Sequence, residues 1–496
     1  MKVTFDSKDK VFTRRYKIQG TSVFERKKCA TEKRLKLSKT NILLGKVQNG
    51  GPMPIAEQAT LALYLAFPAI ISQLITILME YVDSAMVGQL GASASASIGI
   101  VSTTTWLMGG LCSSIAGGFG VMVAQSIGAR NDLRARQILR VAIRFTLVVS
   151  SVIGLIGIII APFLPQWLGG EVSIRDDATT YFLVFSASIP IWEVNYLMAS
   201  MLRSTGNMKV PSIVNIVSCL LNVGFNYVFI FVCGWGVLGA AIGTACSITI
   251  ASIVLTIYVL FISPELRLFK NTTDKKEDTL AIIKPAMHIG IPMAVQHIAI
   301  CSAYIVSTLI VAPLGTIAIA AHSFGITIEG LCYMPGYGIG DAATTLVGQS
   351  IGARREDLQR SFSVLTVLLG CAFMTVMGIL MYAGVPYLMP LMTPDVAVQQ
   401  LTVECLRIEA FAEPLYAVAI VTYSVFMGAA DTKVPAAMNL GSMWIVRLPM
   451  AYLLAQQLGL KGVWIAMCAE LCFRGTIFLI RLIYKLKTQK ITIQLS

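Results

Sequence analysis

The sequence predicts an all-α polytopic membrane protein, with twelve transmembrane helices in two homologous six-helix bundles around a central cleft. Three observations predict it. Of 496 residues, 56% belong to the set AVILMFWYC and only 13% are charged, whereas soluble domains carry about 25% charged residues. Five stretches, 84–129, 145–170, 210–264, 289–328 and 361–394, contain no Asp, Glu, Lys or Arg, and a spanning helix needs about 20 apolar residues. Finally, QSIGAR occurs at 125–130 and again at 349–354, an offset of 224. The composition excludes a soluble enzyme, and the runs lack the period-2 alternation of a membrane barrel.

Taken in order, residues 1–52 form a basic tail expected to be cytosolic and disordered. Residues 1–50 hold 14 Lys/Arg against 4 Asp/Glu, and the rest of the chain holds 25 against 22, so the net charge of +13 resides mainly in the tail. Nucleic acid is therefore not indicated as a partner. Either the tail lies against anionic lipid, or translation begins at Met53. Removal of residues 1–50 is expected to leave export intact, because the tail has no counterpart in the second half. Spans are expected at 60–86, 93–124, 138–162, 178–200, 209–232 and 237–262, the N-lobe being 53–262. A cytosolic loop, 263–282, joins the lobes. The C-lobe, 283–485, holds spans at 284–311, 317–348, 362–385, 400–427, 434–457 and 461–484, before a cytosolic tail at 486–496. With the tail inside, the inner loops collect Arg130, Arg134, Arg136, Arg203, Lys209, Arg354, Arg355 and Lys433, and the outer loops hold little beyond Arg175 and Lys461. This positive-inside pattern puts both termini in the cytoplasm and the protein in the plasma membrane, as an expected monomer in the lipid bilayer.

The offset of 224 also pairs Pro68 with Pro292, Leu90-Gly91 with Leu314-Gly315, Lys209-Val210-Pro211 with Lys433-Val434-Pro435, and Asn215 with Asn439. One offset held over six helices means a duplicated bundle. Both copies start on the same side, so they are parallel repeats, an arrangement found in transporters with a site between the halves. Ten of the eleven Cys lie in or beside apolar runs and none forms CxxC, so neither disulfides nor a metal site is expected.

The residues VDSAMVGQLGA at 82–92, QSIGAR at 125 and 349, LRSTGNMKVP at 202–211 and GAADTKVP at 428–435 resemble the multidrug and toxic compound extrusion (MATE) transporters over about residues 55–485. The resemblance implies alternating access between two lobes and export of small organic cations in exchange for H⁺ or Na⁺. No cofactor beyond that coupling ion is implied, and no enzymatic activity.

An ionisable residue inside a membrane costs several kcal/mol and usually has a partner or a function. Nine carboxylates fall in the spans: Glu80, Asp83, Glu193, Glu329, Asp341, Glu404, Glu409, Glu413 and Glu470. Glu470 with Arg474, and Glu404 with Arg407, are spaced to neutralise each other on one helix. Asp83 has no base in helical reach and follows Pro68 by fifteen residues on the first span. Pro68 offers a hinge, and a carboxyl moved between dry and wet surroundings binds and releases a proton. The other reading is a structural Asp near the outer interface. The resemblance favours function, since the matching Asp of the DinF-like branch is the proton-linked residue. Glu80, Asn222 and Asn226 complete the candidate coupling site; the two amides either bind Asp83 or Na⁺, or simply hold helices together. Some DinF-like members carry Asp where Asn226 stands, so Asp83 is more solitary here. Glu193, Gln73 and Arg447 are candidates for the substrate cleft, with Arg447 either reaching a carboxylate across the cleft or packing within its own lobe. His288, His297 and His322 are not at metal spacing and read as packing residues.

Two other classes compete. GIGD at 338–341 resembles the GxGD of intramembrane aspartyl proteases, which need two Asp on one water. A lipid-linked oligosaccharide flippase needs a cleft rich in Arg and Lys for pyrophosphate, whereas the spans hold nine acids against three bases.

Overall fold

A computed structural model describes residues 39–268 and 279–488, and every element among them is helical. After a short α1 (Lys39–Asn49), the first lobe comprises α2 (Ile55–Gly88), α3 (Ala92–Gly128), α4 (Asp132–Ile160), α5 (Val172–Ser204), α6 (Lys209–Val232) and α7 (Gly236–Ile262). The second comprises α8 (Thr279–Leu314), α9 (Thr316–Gly352), α10 (Glu356–Met392) and α11, which is broken into Val396–Glu409 and Glu413–Gly428 with a 59° bend. It closes with α12 (Lys433–Gly441, Ser442–Arg447 and Leu448–Leu458 end to end) and α13 (Leu460–Thr488). All twelve expected spans are present, α2 to α13. Ten are long and apolar enough singly to cross a membrane, α11 qualifies as a bent pair, and α12 is assembled from three contiguous segments.

The backbone repeats with the sequence. Gly91 (φ 111°) and Gly315 (φ 98°) open α3 and α9 in conformations that a side chain would strain. Arg130 (φ 57°) and Arg354 (φ 56°) close the same helices in the left-handed region. At each close the amide three residues past the helix end returns to a carbonyl five back, Asn131 to Ser126 at 2.9 Å and Arg355 to Ser350 at 2.9 Å. The final Ala-Arg of QSIGAR is thus a helix stop.

Its glycines have another task. A Cβ on Gly128 would lie 2.1 Å from the Gln349 carbonyl oxygen, and one on Gly352 would lie 1.9 Å from that of Gln125. The two QSIGAR copies therefore cross backbone to backbone at the basic end of the molecule, where only glycine permits the approach. The glutamines of the same motif tie the lobes reciprocally: Gln125 Nε2 donates to Gly428 O at 3.2 Å and Gln349 Nε2 to Ser204 O at 2.9 Å. Ser204 and Gly428 are themselves 224 apart. Thr345 Oγ1 adds a bond to Arg203 O at 3.1 Å. At this end the lobes are shut.

The tail expected to be disordered through residue 52 is corrected over 39–49. The basic composition hides Thr40, Leu43, Leu44 and Val47, spaced as one helical stripe and all buried. Residues 1–38 of that tail, 269–278 of the inter-lobe loop and 489–496 of the C-terminal tail lie outside the described residues. None of the ten cysteines in the described residues is disulfide-bonded.

The crossing yields a direct prediction. Gly352→Val must displace the Gln125 backbone, an overpacking that costs about 1–3 kcal/mol, and should lower the thermal midpoint of the purified protein in detergent by several degrees. Gly109→Ala, at a glycine with nothing within 4 Å, should leave that midpoint unchanged.

Candidate functional site

Helices α2 and α6 present matching polar faces. On α6, Asn215, Cys219, Asn222 and Asn226 recur at i, i+4, i+7 and i+11, and on α2 Ser72, Thr76 and Asp83 occupy the same register. Asn215 Nδ2 lies 3.1 Å from Ser72 O and 2.9 Å from Thr76 Oγ1, and Cys219 Sγ lies 3.8 Å from Ile75 O. Farther along, Asn226 Nδ2 donates to Asp83 Oδ1 at 2.8 Å and to Asn222 Oδ1 at 3.3 Å, and Asn222 Nδ2 donates to Thr244 Oγ1 of α7 at 3.0 Å. Both asparagines are 0% exposed. The Asn226 Oδ1 atom is buried without a hydrogen-bond partner, and a Cβ on Gly243 would stand 2.1 Å from it. Glycine there makes the room that Asn226 occupies.

The structure thus brings Asp83, Asn222 and Asn226 together and adds Thr244, which sequence reasoning missed. Glu80, one turn before Asp83, is an exposed residue. It lies within electrostatic reach of Tyr181 and Tyr196 of the first lobe and Tyr333 of the second, so it faces the space between the lobes. Its neighbour Tyr81 donates across to Thr327 O of α9. Pro68 lies inside α2 without ending the helix, fifteen residues or about 22 Å from Asp83.

The remaining candidates are placed elsewhere. Glu193 of α5 is 1% exposed, packed against Cys112 of α3 within the first lobe. Gln73 sits in hydrogen-bonding range of Asp341, which also faces Arg203 at 3.9 Å. That cluster belongs to the inter-lobe ties at the basic end. Arg447 does not cross the cleft; it donates to Met467 and stacks over Tyr304, 5.8 Å from the ring centre, inside its own lobe.

In the second lobe is a second acidic centre, which the sequence analysis did not single out. Glu329 of α9, Glu409 and Glu413 of α11 and Glu470 of α13 are 6%, 1%, 1% and 0% exposed. Glu470 is satisfied by Arg474, with two bonds of 2.7 and 2.6 Å, as the i, i+4 spacing predicts. The carboxyl oxygens of Glu409 and Glu413 have no hydrogen-bond partner. These two flank the break in α11, so the chain bends where its buried acids lie. Broken helices of this kind line transporter sites. Among the described residues no group of three or more His, Cys, Asp or Glu is set to hold a metal ion. The four acids come from three helices, and the signal available beforehand was the charge count alone. Glu404 pairs with Lys461 at 2.7 Å rather than with Arg407, which stacks on Tyr382.

The protease motif has a different explanation. Gly338 lets α9 approach the Ile70 backbone, Gly340 faces Ser424, and Asp341 sits by Gln73, ten residues or about 15 Å along α2 from Asp83. The two aspartates do not share one water.

With this geometry established, the family model described as MatE matches residues 68–228 and 292–453. The matched segments start at Pro68 and Pro292, on the same 224-residue offset. The chain belongs to the MatE family. The family is one of membrane transporters, not enzymes. The protein named "Probable multidrug resistance protein NorM" in Thermotoga maritima is 27% identical over 426 residues, covering 84% of this chain and 90% of that protein. The crystal structure of a MATE transporter of Vibrio cholerae superposes with a TM-score of 0.83 at 19% identity, covering 88% of this chain and 99% of the other. A MOP superfamily transporter of Pyrococcus furiosus, described as having a binding pocket of reverse polarity, gives 0.82 at 19% identity over 90% of this chain and 98% of its own. This MatE protein is therefore a multi-pass membrane transporter.

Breaking the one fully paired buried acid isolates a purely structural role. Arg474→Met leaves Glu470 charged and alone, at a cost of about 3–5 kcal/mol, while Glu470→Gln with Arg474→Met removes both charges at little cost. Membrane yield and thermal midpoint should fall in the single variant and recover in the double.

Proposed function

We propose that this transporter exports small organic cations in exchange for protons, with Asp83 as the group that couples the two, and Na⁺ as the alternative coupling ion. The observation that carries the reading is the Asp83–Asn226 bond beside the cleft-facing Glu80. One carboxylate is held by a neutral amide, with no base on hand to fix its charge. Asp83 can then take a proton when the cleft opens outward and yield it when cargo or the inner side competes. A dehydrated Na⁺ needs a shell of oxygens in place of its water, and the one orphaned buried oxygen beside Asp83 is Asn226 Oδ1, which favours H⁺. Pro68 supplies a hinge about 22 Å away along α2, so a change at Asp83 has a helix to bend.

The energetics suffice. A one-for-one exchange of H⁺ for a monovalent cation moves no net charge, so voltage drops out. Each pH unit, worth about 1.36 kcal/mol, then sustains about a tenfold cation gradient. The flippase alternative lacks its anchors, because Arg474 is paired with Glu470 and Arg447 is 6% exposed among acids and aromatic rings. The name given to relatives, probable multidrug resistance protein NorM, agrees with a drug exporter.

A second ion or cargo site in the C-lobe is favoured by one observation, the unpartnered Glu409 and Glu413 at the break of α11. Neither acid has a salt-bridge partner among the described residues, so a proton or a bound cation must accompany each.

The test is ethidium export from everted vesicles at matched membrane levels, with pH and Na⁺ gradients imposed separately. Asp83→Asn keeps size and hydrogen bonding but cannot ionise, and should abolish pH-driven export. Asn226→Ala should cost less. Glu413→Gln should reduce export only if the C-lobe site takes part in the cycle. Full activity of Asp83→Asn refutes the assignment and moves coupling to the C-lobe acids.

A further inference from the structure

Helix α1 lies outside both copies of the repeat, yet it is seated on both lobes at their shut end. Residues 50–54 join it directly to α2, so its root is in the N-lobe. There Leu44 packs where a Cβ on Gly206, in the turn between α5 and α6, would lie 2.3 Å away, and Lys46 pairs with Glu57 of α2 at 2.6 Å. On the C-lobe side Gln48 Nε2 faces Gln349 Oε1 at 3.4 Å, and Arg355 Nη1 donates to Gly51 O at 3.1 Å. Leu43, Leu44 and Val47 are 9%, 5% and 0% exposed, in one apolar cluster with Met208 of the N-lobe and Ile351, Leu358 and Phe362 of the C-lobe.

Gln349 is the residue whose amide also reaches Ser204 across the lobes, so α1 rests on the crossing itself. The repeat sets the two sides of the crossing against each other, and one position changes from apolar to charged. The residues 224 away from Leu346, Leu358 and Phe362 are Met122, Arg134 and Ile138. These line the equivalent groove on the other side of the crossing, with Arg354, where a cavity of about 560 Å³ remains. The seat holds an apolar stripe against Leu358, whereas Arg134 stands at the matching position, with Lys284 and Arg354 beside it.

We propose that α1 is a strap across the lobes, and that its release from the C-lobe is a step of the transport cycle, with Leu44, Val47 and Gln48 as positioning residues. This rests on alternating access, because opening the basic end separates Gly206 and Met208 from Gln349 and Ile351. A helix rooted five residues from α2 cannot keep both seats. The truncation of residues 1–50, neutral on the evidence of the repeat alone, removes this strap and should favour the state open at the basic end.

The experiment uses the full chain with its eleven natural cysteines replaced and one reporter, Thr345→Cys, at a site 3% exposed and bonded across the lobes. Leu44→Asp with Val47→Asp makes the seat untenable for two carboxylates. Maleimide applied from the basic side should label the reporter about tenfold faster in that variant, a shift of about 1.4 kcal/mol in the opening equilibrium. A second variant carries Gln48→Cys and Gln349→Cys joined by a cleavable bis-thiosulfonate bridge. The bridge should stop ethidium export, and cleaving it should restore the rate of the same sample. Labelling requires neither cargo nor gradient, so its outcome is independent of whether Asp83 couples protons. Unchanged labelling in the Asp variant, or bridged protein that exports at its cleaved rate, overturns the proposal.

Discussion

A carboxylate in the hydrocarbon layer costs several kcal/mol unless a donor, a cation or a proton accompanies it, and the interior of this transporter is arranged around meeting that requirement. Glu470 meets it with a bidentate arginine on the next turn of its own helix. Asp341 meets it between the lobes, facing Arg203 with Gln73 in reach. Asp83 has an amide from Asn226 and nothing cationic. Glu409 and Glu413 have no hydrogen-bond partner among the described residues. These four arrangements differ in what fixes the charge. A charge fixed by arginine is structural, and a charge held by an amide can be discharged as its surroundings dry.

The duplicated scaffold turns such a local event into movement. Each lobe packs within itself, and between them the shut end is held by glycine-mediated crossing and by polar ties that appear twice, once from Gln125 and once from Gln349. Backbone contact between the QSIGAR copies is all or none, because a helix pair cannot separate slightly and keep carbonyls against glycines. The acids, by contrast, are not duplicated. Asp83 has Ser307 as its counterpart, Glu329 has Thr105, and Glu413 has Ile189. The moving parts are symmetric and the chemistry is asymmetric, so the lobes carry different sites on the same frame.

Much of this was legible beforehand, for identifiable reasons. Hydropathy runs fix spans because the bilayer has a set thickness, and a constant offset fixes the repeat. Asp83 and Asn226 were legible because Asp83 has no base in helical reach and Asn226 repeats Asn222 one turn on, both on faces that meet. The C-lobe centre was not, because Glu329, Glu409, Glu413 and Arg447 come from α9, both halves of α11 and α12, and no spacing within one helix reveals their meeting. Glu404 looked paired with Arg407 by i, i+3 spacing, yet Lys461 is the cation that reaches it. The burial of Glu193 was also beyond sequence, since an acid in a span reads alike whether it faces a cleft or a neighbouring helix. Helix α1 was concealed by its composition, with lysines flanking an apolar stripe of four residues that only a tertiary seat stabilises.

The central claim is that one proton on Asp83 and one cation exclude each other. The most direct measurement is the proton count on cargo binding, made by adding ethidium to purified transporter in weakly buffered detergent near neutral pH and following the pH change. By linkage, wild-type protein should release up to about one proton per ethidium bound, with a pH profile that disappears in Asp83→Asn while binding persists. Equal release from wild type and Asp83→Asn would contradict the account and assign the exchanged proton to another group.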